Sequence, residues 1–277
     1  MQLIDHSRAL ISIVGEDASS FLQGIITQDI ANADHAPIFS AMLSPQGKWN
    51  YDFFIIKRDD GYWLDVRNDT AEALIKKLSL YKLRAKVTIS KCEGWCLSYL
   101  TPQSQDSSHL TFADPRHAIL PLRHWRNDGT ANPAAISLDH LVIERLNHGI
   151  PEGGIDATEQ ETLLDVGYDL LNAVSFTKGC YVGQEVTARM HYKSIARKGF
   201  YHVQCAEPLP AEDKDILRDG KVIGELRSRH LNQGLMFARF DMVGDGGEAL
   251  IGNLAVTLTL PTWLEPRYQM HLKNQEA

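Results

Sequence analysis

The sequence predicts an α+β protein whose last part is a small β-barrel or sandwich. Two observations carry this expectation. Up to about Leu100, helix-period apolar stretches are interspersed with short runs of aromatic and β-branched residues. After Lys198 the helical period gives way to alternating runs, "KVIGELRSR", "GLMFARF" and "LAVTLTL", divided by "DG" and "GDGGE" turns. No fixed-period repeat is visible, which argues against a solenoid or propeller.

Taken in order, "RALISIV" reads as a strand, and a Gly-Glu-Asp start signal then opens a helix with Ala18, Phe21, Leu22 and Ile25 on one face. The stretch "IFSAMLSPQGKWNYDFFIIKRDDGYWLDVRN" holds three strand-like runs separated by "SPQGK" and "RDDG", the pattern of an antiparallel meander. Asn68 and Asp69 are candidate caps for a helix reaching about Leu80, with Ala71, Leu74, Ile75 and Leu78 at helical spacing. "KVTIS" and "WCLSYL" supply further strands, and the polar, proline-containing "TPQSQDSSHLTFADPRHAIL" reads as a loop or boundary. Ser137 is positioned to cap a helix with Leu138, Leu141, Val142 and Leu146 on its apolar face, stopped at Gly149–Pro151. These runs divide the chain into an N-terminal α+β domain over 1–112, a central segment over 113–195 and a C-terminal barrel over 196–277.

With 277 residues, 44% hydrophobic and 23% charged, the composition is that of a globular chain rather than a disordered one. Lys and Arg total 28 against 35 Asp and Glu, a formal charge of −7, which argues against a general nucleic-acid coat or an anionic-membrane binder. No stretch approaches the roughly 18 apolar residues of a membrane span, and no secretory signal opens the chain. The expected setting is therefore the cytoplasm. Four cysteines (Cys92, Cys96, Cys180 and Cys205) are too few for a disulfide scaffold, so free thiols are expected. Cys92 and Cys96 have no zinc-ribbon spacing, and with Cys205 they sit in strand-like runs that favour burial. The eleven histidines are scattered, and no metal site is expected.

Phosphate-loop, dinucleotide, zinc-protease and serine-hydrolase motifs are all missing. What stands out is "SFTKGCYVGQEV". Cys180 follows a strand-like "AVSF" and precedes "YVGQEVTARMHY", which has the pattern of a helix. A cysteine just before a helix start feels its positive dipole end, and Lys178 adds a positive neighbour; both favour the thiolate. Gly179 and Gly183 permit backbone geometry closed to other residues, and Tyr181, Gln184 and Glu185 complete the group. The same residues also fit a tight turn in which Cys180 is a small buried hydrophobe. Downstream, Arg189, Lys193, Arg197 and Lys198 form a basic run without an acid, readable as an anion or partner patch or as a solvated face. Asp52 lies within the aromatic run "KWNYDFFIIK", on the opposite strand face from Tyr51 and Phe53. Arg145 fits either a surface ion pair with Glu144 or Asp139, or a pocket donor.

"KGCYVGQEV", together with "FLQGIITQDI", "LSPQGKWNYDF", "FADPR" and "ERLNHGIPEGG" in that order, closely resembles the YgfZ family of folate-binding proteins. Those proteins are bacterial relatives of the mitochondrial Caf-type iron–sulfur assembly factors. The resemblance implies the fold of the glycine cleavage T-protein: three domains around a central opening, the last a β-barrel, with the 1–112 domain sharing the folate-binding core. It also implies tetrahydrofolate as ligand and iron–sulfur client or assembly proteins as partners. The expected role is assembly or repair of iron–sulfur enzymes, including those of tRNA methylthiolation, with Cys180 as the essential thiol and Lys178 tuning it. By similarity to the T-protein, Asp52 stands where that protein carries an aspartate pair, and Arg145, in "RLNHG", stands at its folate-pocket arginine. No counterpart of the T-protein's pterin-binding Gly-Tyr-Glu occurs between Thr101 and Asn132.

The residues leave open what Cys180 does: attack a one-carbon adduct, hold a persulfide, or contact a cluster transiently, which requires ligands from elsewhere because a cluster takes about four. The rival reading is a folate-dependent one-carbon transferase, which is also the enzyme expected if the chain is one. A cysteine hydrolase lacks a base beyond His191, and a dedicated RNA-binding module lacks the basic face.

Overall fold

The run at the start of the chain becomes strand β1 (Arg8–Val14), followed by helix α1 (Ala18–Gln23). The computed structural model describes residues 2–104, 109–193 and 196–276. Helix α1 buries Ala18, Phe21 and Leu22 as its spacing predicts. Asp17 does not cap α1 through its side chain; its carboxylate instead accepts from the Lys86 backbone N–H at 2.7 Å. Strands β2 (Ile38–Leu43), β3 (Trp49–Arg58) and β4 (Gly61–Arg67) are the expected meander. With β1 and β5 (Thr88–Cys92) they form one sheet in the order β2-β3-β4-β1-β5. Helix α2 (Ala71–Lys82) buries Ala71, Leu74 and Leu78. Neither expected cap serves it, because residues 68–70 form a 3-10 turn and Asp69 pairs with Arg67.

Strands β6 (Cys96–Leu100), β7 (Leu110–Phe112) and β8 (Leu122–Arg126) make a second sheet ordered β6-β8-β7. The stretch expected to be loop at 101–120 thus contributes a strand, while its residues 105–108 lie outside the described residues. Cys92 ends β5 and Cys96 begins β6 across a turn at Gly94, so both are half-exposed rather than buried. Helix α3 (Leu138–Asn147) is capped as expected, with Ser137 Oγ accepting from His140 N at 3.2 Å. Its deepest residues are Arg145 and Leu146, whereas Leu138, Leu141 and Val142 are only half-buried.

Helix α4 (Gln184–Tyr192) leads to a closed barrel in the order β10-β11-β12-β9-β14-β13. Its strands are β9 (Lys198–Gln204), β10 (Asp215–Arg218), β11 (Lys221–His230), β12 (Gln233–Arg239), β13 (Gly246–Ile251) and β14 (Leu254–Thr259). Helix α5 (Phe240–Val243) joins β12 to β13, and α6 (Glu265–Glu276) follows β14. Alternate residues such as Tyr201, Val203, Leu226, Met236 and Val256 fill the interior. Cys205 lies just past β9 and is buried. The architecture is the expected α+β arrangement ending in a barrel.

By contact the chain divides into two units. The first comprises Met1–Gln46, Asn50–Leu141 and Leu171–Gln184; the second comprises Gly47–Trp49, Val142–Leu170 and Glu185–Ala277. In the first unit the two faces of β3 meet different surroundings. Phe53 and Ile55 join the apolar cluster with α1 and α2. Phe54, on the opposite face, lies under the guanidiniums of Arg8, Arg116 and Arg123 at 5.6, 5.1 and 4.2 Å from its ring centre. The fully buried Asp65 accepts from Arg8 Nε at 2.8 Å, Arg123 Nε at 2.7 Å and Trp125 Nε1 at 3.1 Å. Asp114 receives two bonds from the Arg116 guanidinium, at 3.0 and 2.8 Å. Removing one member of such a buried set strands the others in low dielectric, which costs far more than the set contributes over an apolar replacement.

Burial alone pushes the Asp65 carboxyl up, but the adjacent Arg123 and Arg8 outweigh it and hold the carboxyl below its ordinary 3.8. A folded value below the unfolded one means that the stabilisation is present above the unfolded pKa and is lost as pH falls through the folded value. Acid unfolding of wild type, followed by circular dichroism from about pH 5 down to about pH 2, should therefore be steeper than that of Asp65→Asn. At neutral pH the variant should be less stable by about 3–5 kcal/mol in denaturant titration.

Candidate functional site

The segment from Leu171 to Gln184 packs within the first unit against the turn between α1 and β2. "AVSF" is not a strand there. Ala173 and Val174 are buried, yet the backbone bonds singly: Ser175 N donates to Thr27 O at 3.0 Å, and Val182 N to Gly24 O at 3.3 Å. Thr27 Oγ1 donates to Ala173 O at 2.6 Å, and Gln28 Nε2 to Asn172 O at 2.8 Å. Asn172, in the left-handed region at φ 63°, also donates from Nδ2 to Pro115 O at 2.9 Å. "FLQGIITQDI", "FADPR" and "SFTKGCYVGQEV", which lie far apart in sequence, are thereby joined.

Lys178 is the centre of this packing. Its Nζ donates to Gln23 O at 2.8 Å, Ile26 O at 2.7 Å and Gln28 O at 2.9 Å, and lies 5.1 Å from the centre of the Tyr181 ring. Burial lowers its pKa to about 8, opposed by Asp29. Three acceptors take all three protons of an ammonium, so the collar fits the cation. Lys178 stands two residues before the thiol with its three N–H donors turned to backbone carbonyls.

Around this anchor the motif divides by direction. Lys178 and Tyr181 are buried, whereas Gly179 and Cys180 are exposed, and a Cβ on Gly179 would meet nothing within 4 Å. Cys180 is thus a displayed thiol and not a buried hydrophobe. Gly183, at φ 82°, breaks the expected helix, which begins only at Gln184, four residues after the cysteine. Cys180 therefore lies in the non-helical stretch ahead of α4 rather than directly at its start. Gln184 opens α4 half-buried, and Glu185 is exposed. Lys178 therefore acts as a positioning residue for the Cys180 turn.

Asp52, in the first unit, is buried on the face of β3 that it shares with Phe54. Arg145, in the second unit, is also buried, and neither Glu144 nor Asp139 is its partner. Nη1 donates to Asp156 Oδ2 at 2.5 Å and to Ile150 O at 2.9 Å, and Nη2 reaches Ser228 Oγ at 3.4 Å. Gly149, just beyond this helix, has φ 64°, and an added Cβ would stand 2.2 Å from Pro261 Cγ, so the "HGIP" turn requires glycine. Arg189, Lys193, Arg197 and Lys198 are all exposed, with Lys198 Nζ 5.6 Å from the Phe237 ring centre; Ser194 and Ile195 lie outside the described residues. The buried charges Arg8, Asp65, Asp114, Arg116 and Arg123 were not anticipated, although "DPR" and the charged residues within "LDV" and "LRHW" were the available signal.

Residues 197–266 match the family of the CAF17 C-terminal β-barrel domain. The mitochondrial iron–sulfur cluster assembly factor IBA57 of Mus musculus is 28% identical, over 92% of this chain and 83% of that protein. The human protein of the same name is 29% identical over 82% and 74% respectively. The homologue from Pyricularia oryzae is 32% identical over 79% and 61%. Among solved structures, the glycine cleavage system aminomethyltransferase T from Bartonella henselae superposes with a TM-score of 0.70 at 14% identity, covering 96% of this chain and 86% of that one. The fold is thus that of the T-protein, as the resemblance implied, and the chain is related to the IBA57/CAF17-type proteins. Those relatives are mitochondrial by name, so the cytoplasmic expectation does not carry over directly from them. Among the described residues no helix is long and apolar enough to cross a membrane.

A thiol-specific chromogenic reagent added to native protein should label one cysteine rapidly, and Cys180→Ala should remove that fast phase while leaving the slower ones. Lys178→Met leaves three carbonyls without their donor; it should lower stability by roughly 2–4 kcal/mol in denaturant titration and change the fast labelling rate.

Proposed function

We propose that this relative of the IBA57/CAF17-type proteins binds tetrahydrofolate and supports assembly or repair of iron–sulfur enzymes, including those of tRNA methylthiolation, through the Cys180 thiol. Within that family it is assigned to the YgfZ-type branch and to the cytoplasm, with no membrane partner and no strong direct nucleic-acid binding. One observation carries the reading. Cys180 is exposed on a turn whose backbone is pinned two residues earlier by a buried lysine. A thiol that must meet a partner's sulfur or iron benefits from a fixed position, because ordering it at encounter would consume binding energy.

Cys180 supplies one sulfur ligand, and a cluster takes about four protein ligands, so any cluster it touches is shared with a client or assembly protein. Among the described residues no group of three His, Cys, Asp or Glu is placed to hold a metal ion. The buried Asp52 carboxylate suits hydrogen-bond donors on a heterocycle, and Arg145 is assigned to the same ligand by its place in the motif. Tetrahydrofolate, when bound, supplies a carrier for one-carbon units. The exposed residues Arg189, Lys193, Arg197 and Lys198 are assigned to partner contact.

The buried carboxylate on a T-protein-like fold favours a second reading, a folate-dependent one-carbon transferase. Complementation of a strain lacking its own copy separates the two, with tRNA methylthiolation and iron–sulfur enzyme activities as readouts. We expect Cys180→Ala, expressed and folded as wild type, to abolish rescue, and Asp52→Asn largely to retain it while weakening tetrahydrofolate binding by calorimetry about tenfold or more. Rescue by Cys180→Ala together with loss in Asp52→Asn would establish the transferase instead.

A further inference from the structure

A second concave site lies wholly within the second unit. Its walls come from the end of α4, the loop at 164–170 and the start of α6, and it encloses about 350 Å³. That volume lies at the lower end of the range for small-molecule sites. The lining is mostly apolar: Leu164, Leu170, Met190, Ala196, Pro266 and Met270. Tyr192 and Met270, 73% and 45% exposed, form an open rim.

The polar part of the lining is Asp169, Arg267, His191 and Tyr192, and the first two form an ion pair. The Asp169 side chain is 5% exposed, and its Oδ2 is held by Arg267 Nη2, while Arg267 Nη1 donates to Leu164 O at 2.6 Å. Asp169 Oδ1 is buried and has no hydrogen-bond partner among the described residues. An ionised carboxylate only accepts, so whatever completes this oxygen must donate. The neighbouring Arg267 already neutralises the aspartate, so a second cation there would meet like charge. A neutral N–H donor meets no such penalty. Two methionines on facing helices provide walls that adapt to flat rings.

We infer that this cleft binds a neutral one- or two-ring heterocycle whose N–H donates to Asp169 Oδ1 while its rings lie between Met190 and Met270. Its lining residues belong to the second unit and the Cys180 turn to the first, and its test is independent of iron–sulfur or folate chemistry.

The test uses the full chain labelled with carbon-13 at the methionine methyls, titrated by NMR with indole and, in parallel, with 1-methylindole. These probes have nearly the same rings and differ in the donor. Indole should shift the Met190 and Met270 methyls saturably, and 1-methylindole should bind roughly tenfold more weakly or worse, because a hydrogen bond to a charged acceptor is lost. Met270→Trp, at an exposed rim position, should fill the cleft and abolish the indole response at Met190. Absence of a saturable shift, equal affinity for the two probes, or survival of the Met190 response in Met270→Trp would each overturn the assignment. The two-probe comparison is made on the wild-type chain and needs no variant to fold.

Discussion

A buried ammonium held by three backbone carbonyls is the constraint on which the candidate site rests. Gln23, Ile26 and Gln28 end α1 and lead toward β2, a stretch whose carbonyls are not all used by helix or sheet. Left alone in a buried setting, each would carry the cost of an unpaired acceptor. Lys178 meets all three at once and in doing so fixes the chain two residues before Cys180. Burial draws the amine toward neutrality, to about 8, while the collar favours the charged form, and at neutral pH the cation prevails on either count. Charge, turn and thiol position are therefore one arrangement. This explains in physical terms why the Lys-Gly-Cys run and the distant "FLQGIITQDI" occur in the same chain.

The five-stranded sheet shows a second use of buried charge. One face is ordinary apolar packing, with Phe53, Ile55 and Leu64 against the helices. The other carries three guanidiniums over Phe54, paired with Asp65 and Asp114. An apolar face would pack at least as stably. What the charged set provides is direction, since Asp65 bonds side chains from β1 and β8 at once and so ties the five-stranded sheet to the three-stranded one.

Elements with a strong local period were legible: β1 and α1, the meander, α2, and the strand-and-turn texture of the barrel. Features that depend on contacts remote in sequence were not. Asp17 and Asn68 carry cap chemistry, yet Lys86 N takes the Asp17 carboxylate and a 3-10 turn displaces the cap at Asn68. "AVSF" has strand composition but finds isolated partners at Thr27 rather than a strand edge. The motif around Cys180 was identifiable, whereas the inward turn of Lys178 and the break at Gly183 were not. Both are decided by carbonyls some 150 residues earlier and by one backbone angle. Asp169 lies in the unremarkable run "VGYDLL", and nothing in its spacing marks a carboxylate with an unused oxygen.

The order of strands in the barrel bears on how the chain acquires its structure. β9, first of the six in sequence, lies between β12 and β14, and its bonds to β14 join residues 202–204 to residues 257–259. Until the last strand has been synthesised, one side of β9 has nothing to pair with, and the cylinder cannot close. The first unit has no such requirement of the barrel strands, although the segment holding Lys178 must be made before its own collar fills. During synthesis the thiol-bearing turn can thus settle before the barrel that follows it, because its collar is already made when the first barrel strand emerges.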